Sequence, residues 1–148
     1  MAPTALELRR ILPASSIAFG AIAADRNDAI RQAGDLLVAA GCADEDYVTQ
    51  MLDRERAVST YVGDGIAMPH GTLAGKDDVI AEGLCLLLFA EPIAWGESTV
   101  TTVIGIAAHG RRYITLLSQL ATALLYEGRA ESLRAATTPE RVWELLAS

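Results

Sequence analysis

The chain has 148 residues, 51% apolar and 21% charged, with a net charge of −7. That length supports one self-sufficient domain over 1–148, and the even spread of apolar residues excludes disorder. The acidity excludes nucleic-acid binding, because like charge repels phosphates. It suits simple solubility or a basic protein partner.

Residues 1–10 are expected to form a loosely packed leader, followed by a short strand around Ser16–Phe19. This N-terminal stretch does not read as a signal peptide. The run from Ile11 to Ala24 is broken by Pro13 and Gly20 and is too short to span a bilayer. The expectation is a soluble, cytoplasmic chain. A helix is predicted over Asn27–Ala40, capped by Asp25 and stopped by Gly41. Ile30, Ala33, Leu37 and Ala40 make its apolar stripe. A second helix follows over Glu45–Ala57 with Asp44 as cap, and places Tyr47, Met51, Val58 and Arg54 on one face.

Gly65–Met68 reads as a strand ending at Pro69-His70-Gly71, with a polar turn around Gly75–Asp78. Leu84–Ala90 is a continuous apolar run, hence a buried central strand, with Cys85 as a small core residue. Pro92 is expected to end it, and Trp95-Gly96 to be a loop. Thr101–Ala108 is β-branched and ends at His109-Gly110. A helix over Arg112–Glu127 is expected to bury Ile114, Leu117, Ala121, Leu124 and Leu125. A short helix over Ala130–Ala135 follows. The last helix starts at Thr138 or Pro139 and packs Val142, Leu145 and Leu146 inward. Helices, then strands, then helices indicate an α/β (α+β) sandwich, with a small sheet flanked by helices.

The chain has only two histidines, each following a strand and preceding a glycine. A neutral imidazole is a competent nucleophile near pH 7, provided its other nitrogen is held. The plainer reading of His70 is a turn residue whose ring caps a local carbonyl. Arg54 has Gln50, Met51, Ala57 and Val58 at i±3 and i±4, so it lacks an intrahelical ion-pair partner. It is either a planar clamp for an anion or a snorkelling arginine at the edge of the core. Arg111 and Arg112 at a helix start read as solvated charges. No P-loop, dinucleotide fingerprint, nucleophile elbow or metal-binding histidine pair is present, so no metal and no cofactor is expected.

The stretch Tyr61-Val62-Gly63-Asp64-Gly65-Ile66-Ala67-Met68-Pro69-His70-Gly71-Thr72 resembles the phosphorylation-site signature of enzyme IIA domains. These are the mannitol/fructose class of the bacterial phosphoenolpyruvate-dependent sugar phosphotransferase system. Met51-Leu52-Asp53-Arg54-Glu55 is similar to the helix carrying the family's active-site arginine. Ile104-Gly105-Ile106-Ala107-Ala108 is similar to the strand before its second active-site segment. Pro-His-Gly-Thr followed by Gly75-Lys76-Asp77 looks most like the mannitol branch.

The resemblance implies an α/β sandwich with a mixed sheet. It implies a phosphohistidine at His70 and a phosphate-stabilising role for Arg54, with donors near Gly71 and Thr72 assisting. It also implies two partners: HPr as phosphoryl donor, and a cysteine of enzyme IIB as acceptor, during uptake of mannitol or a related sugar. The membrane would be reached only through the transporter. The other reading is a regulatory module of the same family that feeds no transporter. In one respect the sequence departs from the family. Where mannitol-type domains carry a second active-site histidine, this chain has Tyr113, with His109 four residues earlier. Either could fill that role, or it could be vacant. Met68, Trp95 and Tyr113 are candidate lining residues, or core.

Overall fold

Residues 3–72 and 78–147 are described in the computed structural model. The helices are α1 (Ala5–Ile11), α2 (Arg26–Ala39), α3 (Glu45–Ala57), α4 (Arg112–Leu124), α5 (Arg129–Arg134) and α6 (Pro139–Ala147). The strands are β1 (Ile17–Ala21), β2 (Tyr61–Gly63), β3 (Ile66–Ala67), β4 (Gly83–Trp95) and β5 (Ser98–Ala107). The strands form one sheet in the order β1-β4-β5-β3-β2. β1 runs parallel to β4 and β3 parallel to β5, whereas β4 pairs antiparallel with β5 and β2 with β3. The expected mixed sheet flanked by helices is what the chain forms.

Strand alternation builds two cores. Leu84, Leu86 and Leu88 of β4 join Ile104 and Ile106 of β5 on one face, under α1, α4, α5 and α6. Cys85, Leu87 and Phe89 join Val103 and Ala107 on the other, under α2 and α3. Both faces are covered, which is why β4 reads as an unbroken apolar run rather than an alternating one. α2 and α3 approach closely at Gly34, where a Cβ would stand 2.7 Å from Val48 Cγ2.

Five features differ from the sequence expectations. Residues 5–10 are not a loose leader. Thr4 caps α1 through Glu7 N (3.1 Å), Leu8 and Ile11 are buried, and Trp143 of α6 donates to the Leu12 carbonyl at 2.8 Å. β4 runs past Pro92 to Trp95. The missing N–H is absorbed by a register shift between Leu88 and Ile93, with Ala90, Glu91 and Pro92 exposed. The strand expected at Gly65–Met68 is only Ile66–Ala67, one arm of a hairpin with β2. Asp64 (φ 52°) and Gly65 (φ 75°) form its two-residue turn. α4 stops at Leu124 and buries Leu116, Leu120, Ala123 and Leu124, so Ile114 and Leu125 face outward. Val58 is not on the buried face of α3; it is the exposed C-cap. The turn expected around Gly75–Asp78, and Gly75-Lys76-Asp77 with it, falls almost wholly outside the described residues.

Candidate active site

Beyond β3 the chain leaves the regular sheet but stays docked on it. Met68 N donates to the Thr60 carbonyl at 3.0 Å, and Ile106 N donates to the Pro69 carbonyl at 3.0 Å. His70 then makes a single-residue parallel bridge with Ile106, near the C-terminal end of β5. The imidazole therefore emerges where two parallel strands end, between the layer holding α3 and the layer holding α4.

His70 Nδ1 lies 2.9 Å from the Met68 carbonyl oxygen. A carbonyl only accepts, so this contact holds the proton on Nδ1 and leaves the lone pair on Nε2. The Tyr113 ring stacks on the imidazole, with centroids 4.9 Å apart and planes 24° apart. The residue is 4% exposed, more covered than expected for a group visited by partners. Among the described residues Nε2 makes no hydrogen bond, and the sealed side-chain atom without a partner is Gln119 Oε1, not this nitrogen. Nε2 therefore stands at the margin of an otherwise covered ring. Burial pushes the His70 pKa below its usual 6.5. The Met68 carbonyl works against this shift, the Arg54 charge adds to it, and the Glu55 charge opposes it. The net effect is a neutral, oriented imidazole at pH 7.

Arg54 is half-buried on α3 and is not without a partner. Its Nη1 donates to the Val58 carbonyl at 2.6 Å, closing the last turn of the helix. Among the described residues that is its one hydrogen bond, and it joins no ion pair. The remaining donors of the fork are uncommitted. Its neighbour Glu55, 3% exposed, is a site residue the sequence reading did not single out. It accepts from Trp95 Nε1 (2.6 Å), Thr60 N (3.0 Å), Thr60 Oγ1 and Ser59 Oγ (3.1 Å). This carboxylate ties the end of α3 to the tip of β4 and to the segment leading to His70. One signal was available: Glu55 stands four residues after Met51, on the buried stripe of the helix.

Gly71 N donates to the Tyr47 hydroxyl at 2.8 Å. Thr72 Oγ1 is 3.5 Å from Gln50 Oε1, at the outer limit of a hydrogen bond. His109 is exposed, and its carbonyl accepts from Arg112 N at 3.0 Å; its ring makes no hydrogen bond, ion pair or ring stack among the described residues. Tyr113, not His109, is thus the residue brought against His70. Arg112 is not merely solvated. It donates to Glu82 at 2.8 and 3.3 Å and lies 3.5 Å from Glu7, tying the start of α4 to β4 and α1. Met68 and Trp95 are core residues.

Clefts of about 430 Å³, between Asp64, Tyr126 and Arg134, and about 370 Å³, around Asp25 and Gly96, include none of His70, Arg54 and Tyr113. Asp44, Asp46 and Asp78 bring carboxylate oxygens within 4.8 Å of one another, without a buried unpartnered group among them to mark a cation site. Among the described residues no helix is long and apolar enough to cross a membrane.

Residues 10–148 match the model of the family described as phosphoenolpyruvate-dependent sugar phosphotransferase system, EIIA 2. The chain is 44% identical over 128 residues to the multiphosphoryl transfer protein of Escherichia coli O157:H7, covering 86% of this chain but 34% of that one. It thus spans about a third of that relative's length. It is 37% identical over 136 residues to the mannitol-specific phosphotransferase enzyme IIA component of Halalkalibacterium halodurans, covering 92% of this chain and 94% of that one. The fold superposes, with a TM-score of 0.85 and 39% identity, on a chain of the complex of enzyme IIAMTL and phosphorylated enzyme IIBMTL from Escherichia coli. That match covers 90% of this chain and 95% of that one.

Proposed function

Because this chain belongs to the EIIA 2 family of the phosphoenolpyruvate-dependent sugar phosphotransferase system, we propose that it carries a phosphoryl group on Nε2 of His70. The group is taken from phosphorylated HPr and passed to a cysteine of an enzyme IIB domain during mannitol uptake. The observation that carries this reading is the tautomer. Nδ1–H is anchored on the Met68 carbonyl, and Nε2 is left as a nucleophile in a ring that burial keeps neutral.

In the first step the Nε2 lone pair attacks phosphorus in line. The Nε2–P bond forms, and the bond from phosphorus to the donor's ring nitrogen breaks, its electron pair returning to that nitrogen. The Met68 carbonyl steadies the positive charge that develops on the ring. Arg54 offsets the charge on the phosphoryl oxygens with its free donors. In the second step a cysteine thiolate attacks phosphorus, the S–P bond forms, and the Nε2 lone pair is restored. Tyr113 holds the plane of the imidazole through both steps. Mannitol as the sugar rests on the name of the Halalkalibacterium halodurans relative. The enzyme IIB partner rests on the Escherichia coli complex. Both partners and this chain would meet in the cytoplasm.

The test is incubation with phosphoenolpyruvate, enzyme I and HPr, followed by mass mapping of acid-labile phosphate and a chase with mannitol enzyme IIB. Phosphate is expected on the peptide holding His70, and the chase should remove it. Phosphate mapping to any other residue would overturn the assignment.

A further inference from the structure

Tyr47 stands in the first turn of α3, with Met51 and Arg54 following on the same face of the helix. It is 3% exposed, and its hydroxyl uses both of its capacities. It accepts from Gly71 N at 2.8 Å and donates to the Ile106 carbonyl at 2.7 Å. These partners flank the catalytic ring. Ile106 N already holds the Pro69 carbonyl, just before His70. In a parallel ladder of this register the next link would run from Gly71 N to the Ile106 carbonyl. The phenol oxygen stands as a relay between those two groups.

The ring explains the glycine beside it. A Cβ at Gly71 would lie 2.3 Å from Tyr47 Cε1 and 2.8 Å from Cζ. No other residue fits without moving the tyrosine. Burial drives the Tyr47 pKa up to about 12, so the hydroxyl keeps its donor proton throughout the neutral range.

We propose that Tyr47 is a positioning residue for phosphoryl transfer: its hydroxyl fixes the His70–Gly71 backbone to α3, and so fixes Nε2 relative to the guanidinium on that helix. It touches neither the phosphoryl group nor a partner. The proposal rests on the reading of His70 as the carrier. A misplacement of 1 Å at a reacting centre can cost on the order of 10²-fold in rate. Tyr47→Phe keeps the ring and removes only the relay.

The experiment measures single-turnover phosphoryl uptake against phosphorylated HPr concentration, with ¹⁵N NMR of the His70 ring. For Tyr47→Phe, the rate at saturating donor should fall roughly 10- to 100-fold. The half-saturating donor concentration should stay unchanged, and the tautomer population should move away from Nδ1–H. Tyr61→Phe is the matched control. It removes another hydroxyl-to-backbone contact, to Gly65 N at 3.3 Å, and should leave the rate unchanged. A Tyr47→Phe maximal rate equal to wild type overturns the proposal, and so does a loss confined to donor affinity. Should Tyr47→Phe fail to fold, amide exchange of the wild-type chain decides. Gly71 N–H should be as protected as the amides of β5, and fast exchange there overturns the relay. A wild-type chain that takes up no phosphoryl group would instead sink the reading of His70, leaving Gly71 exchange and the variant's tautomer to decide on Tyr47.

Discussion

Two neighbouring parallel strands of this sheet are each followed by a His-Gly pair, and the fold treats the pairs oppositely. After β3, His70 is covered, hydrogen-bonded through Nδ1 and stacked on Tyr113. After β5, His109 is exposed, and its ring makes no hydrogen bond or ring stack among the described residues. The glycines differ as well. Gly110 has φ +53° and serves a turn, whereas Gly71 is there because the Tyr47 ring leaves no room for a Cβ. The dipeptide does not make the site. What makes it is that α3 and α4 each bring an aromatic residue to the His70–Gly71 segment: the Tyr47 hydroxyl holds Gly71 N, and the Tyr113 ring stacks on the imidazole.

The sharpest way to break this contrast is to change each histidine in turn. His70→Asn should abolish phosphoryl uptake and keep the fold, because an amide N–H can still donate to the Met68 carbonyl. His109→Asn should take up phosphoryl groups at the wild-type rate. Uptake assayed from phosphorylated HPr, with circular dichroism to follow the fold, checks both. Retained uptake in His70→Asn would move the chemistry to the other strand end.

The next largest effect is expected at Arg54, which belongs to one strand end only. Arg54→Ala should slow uptake by about 10²- to 10³-fold, the usual cost of removing a donor aimed at developing charge. Arg54→Lys keeps the charge without the fork and should recover only part of that. Each variant also loses the bond to the Val58 carbonyl, which should lower stability by about 1 kcal/mol. A wild-type transfer rate with lowered stability would reduce Arg54 to a helix cap.

How much of this was legible follows from how local each signal is. The bounds of α3 were readable because Asp44 caps it and the apolar period runs its whole length. The start of α6 was readable from Thr138-Pro139. The Asp64-Gly65 turn is equally local, yet the expected strand Gly65–Met68 takes in its second residue, because β2 and β3 are too short to show alternation. α1 was missed because seven residues carry little periodicity, and what fixes them is α6, at the far end of the chain. In the site, His70 and Arg54 stood out through the signature they share with the family. The Tyr47 hydroxyl did not. Its partners lie 24 and 59 residues away, so its position in the apolar stripe looked like core and nothing more.

Tyr113 sharpens the comparison with a smaller effect. Its ring lies on the imidazole, and its hydroxyl makes no hydrogen bond among the described residues. The contribution is therefore stacking, which is worth about 0.5–1.5 kcal/mol. Tyr113→Phe should transfer at close to the wild-type rate, while Tyr113→Ala should lose up to about tenfold. Should Phe lose as much as Ala, the hydroxyl would be acting in the place of the family's second histidine. A wild-type rate for His109→Asn in the first experiment would exclude that residue from the role.

The smallest effect is on pH, and its sign follows from burial. The native His70 pKa lies below 6.5, while the unfolded chain titrates near 6.5. Well above pH 6.5 both states are neutral at this residue, and its contribution to stability is fully present. As pH falls, the unfolded state takes the proton first, so stability is lost as pH drops through the native value. His70→Asn lacks this slope. The difference in denaturation midpoint between wild type and His70→Asn should therefore shift against wild type between pH 7.5 and 5.5. Over the same range wild-type uptake should keep more than half its rate at pH 6.5 and fall further below it, because the nucleophile is lost on protonation. A rate already halved at pH 6.5 would mean the covered ring titrates like a free one, and the contrast between the two strand ends would no longer account for the choice of His70.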